Sequence, residues 1–597
     1  MQPEPEVEAH RSTRGRSADQ PSGAAAQRLL QIFTLKRDKS TRRIKLITLG
    51  FVLIYSIIAG KLVYFGMHPE LRQIMRQAAS DTVAAARPDI LDRNGAILAT
   101  DIKVTSIFAE PRRIIDRDEA VDQLTSIFPD LDPRELENRL SSRKGFVWIK
   151  RAVTPQEQQK VYHLGLPGIG FMQENKRVYP NGPIAAHVLG YANLDGIGIS
   201  GLEKYIDGEG LADLHDAGFD LTTEDLKPVV TSLDLSATYA LRDELAKGVE
   251  KFKAKAGAAA ILDVDTGEVV AMASLPDFDP NNPVDALDPE RINRLCVGVY
   301  EMGSTFKALS IAMALDSGKA TLDTKVDARA SLRYGRFTIH DFDAQHRFLT
   351  VPEVFTYSSN IGAARLALMV GVDAHKAFLR KMGQLTRLRT ELPESAEPLV
   401  PKNWGELNTM TIAFGQGLNV APLQALMAVG ALVNGGYLIN PTFLKRSEED
   451  AKRDAPRVIK PETSESLRYL MRLNAEIGSA KKADIDGYFV GGKTGTADKI
   501  FHGHYSTDKV LTTFMAIVPA DKPKYLFFTM LDEPQGLPET DGYRTAAWNS
   551  GVITGQIIQR VGPILGMAPR FTPPSQPFPL LAQLGYAAAN LPAPGSH

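Results

Sequence analysis

Cysteine is almost absent from this chain of 597 residues, since Cys296 is the single one. One thiol excludes an intramolecular disulfide framework and a zinc site built from several cysteines. The chain also has almost no net charge, because 69 Lys and Arg residues face 70 Asp and Glu residues. This balance argues against nucleic acid as the main partner. Hydrophobic residues make up 44% and charged residues 23%, so wholesale disorder is excluded and several globular domains are expected.

The chain has one long apolar run, which covers residues 46–66 and contains Lys61 as its single charge. A helix of that length spans about 30 Å, the hydrocarbon thickness of a bilayer. Six Lys and Arg residues crowd positions 36–45, and such a basic flank stays in the cytoplasm. We therefore predict a single-pass anchor in the inner (cytoplasmic) membrane, a basic cytoplasmic tail at 1–45 and a periplasmic bulk. A cleaved signal peptide and a buried soluble helix are the alternatives.

Two domains are expected after the anchor. Residues 67–235 mix short strands with charged helices and include a strand, an Asn94-Gly95 turn and a second strand. This pattern predicts an α+β domain. Residues 236–568 form the second domain, and seven prolines in residues 569–597 predict an extended tail.

The second domain begins with an amphipathic helix at 237–256 and a hairpin with strands at 257–265 and 269–275. Two more strands are predicted late in the domain, at 511–518 and 525–531. Helices are predicted between these strands, notably at 305–315, 351–369 and 422–434. Strands at both ends of a domain with helices between them predict one antiparallel sheet flanked by helices, an α/β (α+β) sandwich.

A serine and a lysine three residues apart open one of the predicted helices. The S-x-x-K pattern occurs four times, at Ser141, Ser304, Ser479 and Ser506. Ser304 follows Gly303 and begins an apolar helical run, whereas Ser141 and Ser479 lie among charges and Ser506 lies in a polar loop. At the start of that helix, Lys307 lies on the same face as Ser304. Burial would lower the pKa of the Lys307 amine and let it take the serine proton. The alternative is a surface N-cap serine beside an unrelated lysine.

Two further short motifs follow in order. Ser358-Ser359-Asn360 lies just before a helix, and its alternative interpretation is a simple cap or turn. Lys493-Thr494-Gly495-Thr496 is predicted to be a strand, with the lysine on one side and both threonine hydroxyls on the other. Gly495 permits close approach of a ligand or another backbone, although an ordinary glycine-rich strand end is the alternative. Together the three motifs supply the nucleophile, base, proton relay, amide-binding group and carboxylate cradle of acyl transfer.

With these motifs, residues 40–565 resemble the class B penicillin-binding proteins, which are monofunctional peptidoglycan D,D-transpeptidases. The likeness is strongest to the septal subgroup, the penicillin-binding protein 3 type. Further matching stretches are Asp92-Arg93-Asn94-Gly95, Arg177-Val178-Tyr179-Pro180, Gly201-Leu202-Glu203, Tyr300-Glu301 and Gly415-Gln416-Gly417. The chain departs from the family at Met302, where proline is usual, and at Pro88, where glycine is usual. Neither departure removes a catalytic group.

The resemblance implies a role for each motif residue. Ser304 attacks the bond between the terminal D-alanines of a stem peptide, Lys307 takes its proton, and Ser358 relays a proton to the leaving D-alanine. Asn360 holds the substrate amide, while Lys493, Thr494 and Thr496 meet the terminal carboxylate beside Gly495. The backbone N–H groups of Ser304 and Thr496 stabilise the oxyanion.

The resemblance also implies partners and a location. Peptidoglycan stem peptides are the substrates, β-lactam antibiotics acylate the same serine, and no cofactor or metal is needed. A membrane-embedded glycosyltransferase and divisome proteins are the expected partners at the division septum. The resemblance further implies that residues 67–235 form an elongated α+β pedestal that contacts these partners. An elongation-type transpeptidase, or a penicillin-binding sensor or scaffold without turnover, is the alternative.

Four other residues are assigned no catalytic role. His502 and His504 form a metal-ligand pair only if further ligands join them. Cys296 is predicted to be a small buried hydrophobe, and His187 a structural residue of the first domain.

Overall fold

The computed structural model describes residues 48–56, 86–211, 226–501, 504–572 and 574–583. The chain divides into two compact units, Met1–Thr82 and Val83–His597. In the first unit, residues 48–56 are helical, whereas the rest of the predicted anchor and the predicted tail at 1–45 lie outside the described residues. No helix among the described residues is both long and apolar enough to cross a membrane.

The first domain is built on a mixed sheet around one long strand. The central strand β2 pairs with β1, β3 and β4, and β1 continues the sheet to β5. The strands are β1 Ile90–Leu91, β2 Ile97–Ala109, β3 Val147–Val153, β4 Ile169–Val178 and β5 Val229–Val230. The helices are α1 Arg117–Ile127, α2 Pro133–Leu140, α3 Pro155–Leu164, α4 Ala186–Leu189 and α5 Gly201–Ile206.

The predicted turn between the first two strands is confirmed. The Asp92 carboxylate accepts hydrogen bonds from the backbone N–H groups of Asn94 and Ala96, both at 2.8 Å, and closes the turn. The same turn attaches the first domain to the second. Arg93 forms an ion pair with the buried Glu268 at 3.0 Å, and Asn94 Nδ2 donates to Asp234 at 2.9 Å.

A buried charge network holds the first domain together. The carboxylate of Glu203 accepts from Arg87 at 2.7 Å and from Arg177 at 2.6 Å. Asp101 lies 3.1 Å from Arg177, and Asp207 lies 2.6 Å from Arg87. Buried charges are tolerated only when they are paired in this way. The Arg87 and Arg177 segments that resemble family motifs therefore meet in one network.

The second domain confirms the predicted antiparallel sheet flanked by helices. Its strand order is β14-β15-β16-β6-β7, and every neighbouring pair is antiparallel. The strands are β6 Ala256–Asp263, β7 Val269–Leu275, β14 Gly491–Phe501, β15 His504–Val518 and β16 Tyr525–Asp532. Smaller strand pairs are formed by β8 Tyr300–Glu301, β9 Lys325–Asp327, β10 Leu332–Tyr334, β11 Phe337–Ile339, β12 Phe348–Thr350 and β13 Asn419–Val420.

Helices cover both faces of the large sheet. One core contains apolar residues of α6 and α15, and the other contains α7, α9, α12 and α14. The helices are α6 Leu235–Lys251, α7 Lys307–Asp316, α8 Val351–Thr356, α9 Asn360–Val370, α10 Val372–Lys381, α11 Glu406–Ile412, α12 Pro422–Val433, α13 Glu448–Arg453, α14 Pro461–Ile477, α15 Ser550–Val561 and α16 Pro579–Gln583. Burial of these apolar faces is the main driving force for the fold.

The structure corrects two predicted elements. The helix predicted at 351–369 is broken into α8 and α9, because Ser358 between them has a left-handed backbone (φ 56°) that no helix accommodates. The tail is not extended throughout its described part. Phe578 and Leu581 are buried against α14, and Pro579 begins the short helix α16, a first position where proline is favourable.

Two glycines with the same backbone angle allow a matched test of close packing. Gly415 and Gly435 both have φ 88°. A Cβ at Gly415 would lie 1.9 Å from the carbonyl oxygen of Gly303, whereas a Cβ at Gly435 would meet nothing within 4 Å. Gly435→Ala should cost about 1–2 kcal/mol of strain, and Gly415→Ala more than about 4 kcal/mol. Thermal unfolding of both variants checks this, and equal losses would contradict it.

Candidate active site

Three segments meet at the candidate site, and each carries one of the sequence motifs. A tight 3-10 turn, Gly303–Phe306, leads into α7 and presents Ser304 and Lys307. The break between α8 and α9 presents Ser358, and strand β14 presents Lys493. Gly303 has φ 56°, and a Cβ there would lie 3.0 Å from the Thr496 carbonyl. The glycine therefore lets the serine turn pack directly against β14.

The Lys307 amine is the centre of the site. Its side chain is 0% exposed. Nζ lies 2.7 Å from Ser304 Oγ, 2.8 Å from Asn360 Oδ1, 2.6 Å from the Ser358 carbonyl oxygen and 3.1 Å from Ser358 Oγ. One nitrogen therefore connects the first and second motifs.

This contact set fits a neutral amine. An ammonium has three hydrogens and no acceptor, whereas a neutral amine has two hydrogens and one lone pair. The two hydrogens can go to Asn360 Oδ1 and the Ser358 carbonyl, which leaves the lone pair for the hydroxyl proton of Ser304. Burial, and then the positive charge of Lys493, hold the pKa of Lys307 well below its usual value. The amine is thus prepared to act as a base.

Lys493 extends the network from the sheet side. It is 1% exposed, and its Nζ lies 2.9 Å from Ser358 Oγ. Burial lowers the pKa of Lys493 to about 7. Ser358 Oγ therefore lies between two lysine amines, a position from which a hydroxyl can pass a proton in either direction. Its left-handed backbone stores strain of the kind that functional residues retain.

The remaining residues of the β14 motif face other neighbours. Thr494 Oγ1 lies 2.8 Å from Ser479 Oγ, and Thr496 Oγ1 accepts from the Ala546 N–H at 3.2 Å. A Cβ at Gly495 would lie 2.7 Å from the Met302 carbonyl oxygen. Glycine is therefore required there for close approach of another backbone. Ser479 is one of the other S-x-x-K serines and was assigned no role, but its hydroxyl contacts the site residue Thr494.

Asp341 is a site residue that the sequence analysis missed. Its carboxylate accepts from Ser359 Oγ at 2.6 Å and from the Ile361 N–H at 2.9 Å. Asn360 Nδ2 donates to the neighbouring His340 carbonyl at 2.9 Å. The segment before β12 thus fixes the whole Ser358–Asn360 turn. No local motif marks Asp341, because its partners lie 18 and 20 residues further along the chain.

The pKa shifts predict a bell-shaped pH dependence of acylation. Lowering the pH through the pKa of Lys307 protonates the base and abolishes its acceptor, so the rate constant falls on the acid side. Raising the pH through the Lys493 pKa of about 7 removes a positive charge that a substrate carboxylate would meet at the site, so the rate constant should fall on the basic side. The second-order rate constant for benzylpenicillin, measured from about pH 4 to about pH 10, checks both limbs. A flat profile would contradict the lysine assignments.

Asp341→Asn should slow acylation by about ten- to a hundredfold. Both carboxylate oxygens of Asp341 accept hydrogen bonds from the Ser358–Asn360 turn and Ile361, and asparagine replaces one of them with an NH2 group that can only donate. The Asp341 charge also raises the pKa of Lys307, so its removal should shift the acid limb to lower pH. Asp343→Asn, an exposed carboxylate two residues away, is the matched control. A slower rate with an unmoved acid limb would mean that Asp341 acts through folding alone.

A family model described as "Penicillin binding protein transpeptidase domain" matches residues 257–557. The chain belongs to the penicillin-binding protein transpeptidase family. A second model, "Penicillin-binding Protein dimerisation domain", matches residues 82–209 of this penicillin-binding protein.

Relatives of this penicillin-binding protein carry class B names. It is 36% identical over 503 residues to a probable peptidoglycan D,D-transpeptidase FtsI of Caulobacter vibrioides, covering 81% of this chain and 82% of that protein. It is 32% identical over 480 residues to a probable peptidoglycan D,D-transpeptidase PenA of Neisseria gonorrhoeae, covering 77% and 82%. The resemblance to class B penicillin-binding proteins is confirmed.

A solved structure supports the fold. A peptidoglycan synthetase from Bifidobacterium adolescentis aligns with a TM-score of 0.63 at 21% identity, over 83% of this chain and 98% of that one.

Met302 stands where the family usually has proline. Its backbone carbonyl accepts a hydrogen bond from Thr305 Oγ1 at 2.7 Å, and a proline carbonyl could accept the same bond.

The other candidate residues lie away from the motif cluster. Burial raises the pKa of the Cys296 thiol to about 12, as suits a small buried hydrophobe. His187 Nε2 lies 2.7 Å from the Arg291 carbonyl, and its ring packs edge-on against Phe278. His502 lies outside the described residues, and within the described part of the chain no group of three metal-ligating side chains occurs.

Proposed function

We propose that this penicillin-binding protein is a septal peptidoglycan D,D-transpeptidase that crosslinks stem peptides through a Ser304 acyl-enzyme. The observation that carries the proposal is the buried Lys307 amine within 2.7 Å of Ser304 Oγ and 3.1 Å of Ser358 Oγ. A buried lysine beside a serine is an activated nucleophile pair.

In the first half-reaction, Ser304 Oγ attacks the carbonyl carbon between the two terminal D-alanines. Its proton moves to Lys307 Nζ, and the carbonyl oxygen becomes an oxyanion held by the N–H groups of Ser304 and Thr496. When the C–N bond breaks, the proton returns through Ser358 Oγ to the departing amine. Free D-alanine leaves and an ester to Ser304 remains.

The substrate is oriented by groups at the edge of the site. Lys493 supplies positive charge, and Thr494 and Thr496 supply hydroxyls, for the terminal carboxylate. Asn360 contributes its amide to the substrate backbone, with its Oδ1 already fixed by Lys307. Fixed groups of this kind lower the barrier because they are positioned before the reaction.

In the second half-reaction, an amine of a neighbouring stem peptide attacks the ester carbon. Its proton passes to Ser358 Oγ and Lys307, Ser304 is regenerated, and a new peptide bond forms the crosslink. A β-lactam follows the first half-reaction only, because its opened ring stays attached and blocks the acceptor. The complete set of proton-transfer groups disfavours a sensor or scaffold without turnover.

The proposal includes a location and a domain organisation. Residues 46–66 anchor the chain in the cytoplasmic membrane, with residues 1–45 in the cytoplasm and the catalytic domain, 236–568, in the periplasm. Residues 67–235 form a pedestal that contacts a membrane-embedded glycosyltransferase and divisome proteins, and residues 569–597 form the tail. The basic flank of the apolar run supports this orientation in the membrane.

Full-length protein incubated with uncrosslinked strands that carry pentapeptide stems tests the activity. We expect crosslinked dimers and free D-alanine in equal amounts by mass spectrometry, and neither with Ser304→Ala. D-alanine release without crosslinks would indicate a hydrolase, and neither product from the wild type would favour the scaffold. A fluorescent fusion along the side wall instead of at midcell would favour the elongation type.

A further inference from the structure

Exposed aromatic rings project beside the candidate site, in residues 331–348, which we call the aromatic segment. Strands β10 and β11 form a two-stranded hairpin within it, and Tyr334 pairs with Phe337 at the tip. Residues opposite each other in a strand pair lie on the same face. Tyr334 is 41% exposed, Phe337 is 48% exposed, and Phe342 is 89% exposed. These rings form no part of a core, although their burial would be favourable.

The aromatic segment is continuous with the catalytic motifs. Asn360 Nδ2 donates to the carbonyl of His340, and Ser359 Oγ donates to Asp341. Phe342 is the next residue along the chain. The His340 ring also lies 2.8 Å from Ser331 Oγ, so both ends of the hairpin are tied together next to the Ser358–Asn360 turn. The segment that carries the exposed rings is therefore hydrogen-bonded to the turn that contains Ser358.

The hairpin tip is also basic. Arg333 and Arg336 are exposed, and in the described part of the chain neither forms an ion pair with a carboxylate. The Arg336 guanidinium lies 5.3 Å from the Phe337 ring centroid, within cation–π range. In contrast, the nearby Arg329 and Arg347 are already paired with Asp327 and Glu353. The tip thus offers two guanidinium groups, and that of Arg336 lies beside a flat apolar ring.

We propose that the aromatic segment binds the acceptor strand of the crosslinking reaction. This inference rests on the proposed function. The acceptor amine must reach the ester carbon on Ser304 and pass its proton to Ser358 Oγ, so the acceptor chain must leave the site past a neighbour of Ser358. Stem peptides carry carboxylates that suit Arg333 and Arg336. Their apolar carbon chains and sugar faces suit the rings of Tyr334, Phe337 and Phe342.

Acceptor binding can be separated from acylation by comparing variants in two assays. Phe342→Ala and the double variant Arg333→Ala/Arg336→Ala are tested in the full chain. One assay measures benzylpenicillin acylation, and the other measures crosslink formation on uncrosslinked strands with increasing concentrations of a disaccharide-tetrapeptide acceptor. Phe571→Ala, an exposed ring in the tail, and Arg134→Ala, an exposed arginine in α2, are the matched controls.

We expect each aromatic-segment variant to raise the KM for the acceptor by about five- to tenfold, as the loss of one ring or charged contact would. Benzylpenicillin acylation should stay within about twofold of wild type, and the controls should change neither assay. An unchanged acceptor KM would overturn the inference while leaving the proposed function intact. Equal losses in both assays would also overturn it, because the segment would then only support the Ser358–Asn360 turn. A wild type that acylates but never crosslinks would reject the proposed function itself.

Discussion

Ser304→Ala should abolish covalent reaction with benzylpenicillin and all crosslinking. Ser304 Oγ is the hydroxyl within 2.7 Å of the buried Lys307 amine, and alanine removes the nucleophile without adding volume. Ser358 Oγ is not expected to replace it, because that hydroxyl is held between two lysines in a strained turn. The expected loss is at least about 10⁴-fold, the scale found when a covalent nucleophile is removed.

Ser141→Ala is the matched control for Ser304→Ala. Ser141 also precedes a lysine by three positions, Lys144, but it is an exposed residue at the end of α2. The control should leave the acylation rate unchanged, since the S-x-x-K pattern alone has no buried base. Acylation that survives in Ser304→Ala would show that another residue is the nucleophile.

Lys307→Met should lower the acylation rate by about 10²- to 10⁴-fold, the usual contribution of a general base. Methionine approximates the length of the side chain but has no amine, so the Ser304 proton has no acceptor. The change also leaves Asn360 Oδ1 without its donor. Burying an amine that is charged in water costs folding free energy, and methionine removes this cost. The variant should therefore unfold at about the wild-type temperature or above it.

Lys319→Met controls for the change in chemistry. Lys319 is exposed just after α7, and its replacement should affect neither acylation nor unfolding. The rate of adduct formation is followed by stopped reaction and mass spectrometry, and the unfolding temperature by circular dichroism. A Lys307→Met variant that folds and acylates at the wild-type rate would remove the lysine from the mechanism.

Local patterns were sufficient to predict the sheet and the three motifs. Alternation and turn residues predicted β7 and the turn at Asn94, and the spacing of Ser304 and Lys307 predicted their contact. These features depend on residues a few positions apart. Their geometry follows from helix and strand periodicity, which a sequence displays directly.

Features that depend on distant contacts were missed. The break at Ser358 interrupts the helix predicted over 351–369. Bonds from this turn to Asp341 and Lys307, which are distant in sequence, help to fix it. Tertiary contacts override local propensity in such places. The many prolines of the tail predicted an extended chain, but Phe578 and Leu581 are buried against α14. Composition does not show which apolar residues pack against a distant helix.

The intact mass of the full chain after incubation with benzylpenicillin, followed by mapping of the modified peptide, tests most directly whether Ser304 is the nucleophile. We expect a stable one-to-one adduct on Ser304 that is absent from Ser304→Ala and persists after excess drug is removed. Drug turnover without a lasting adduct, or an adduct on any other residue, would show that Ser304 does not form a stable acyl-enzyme.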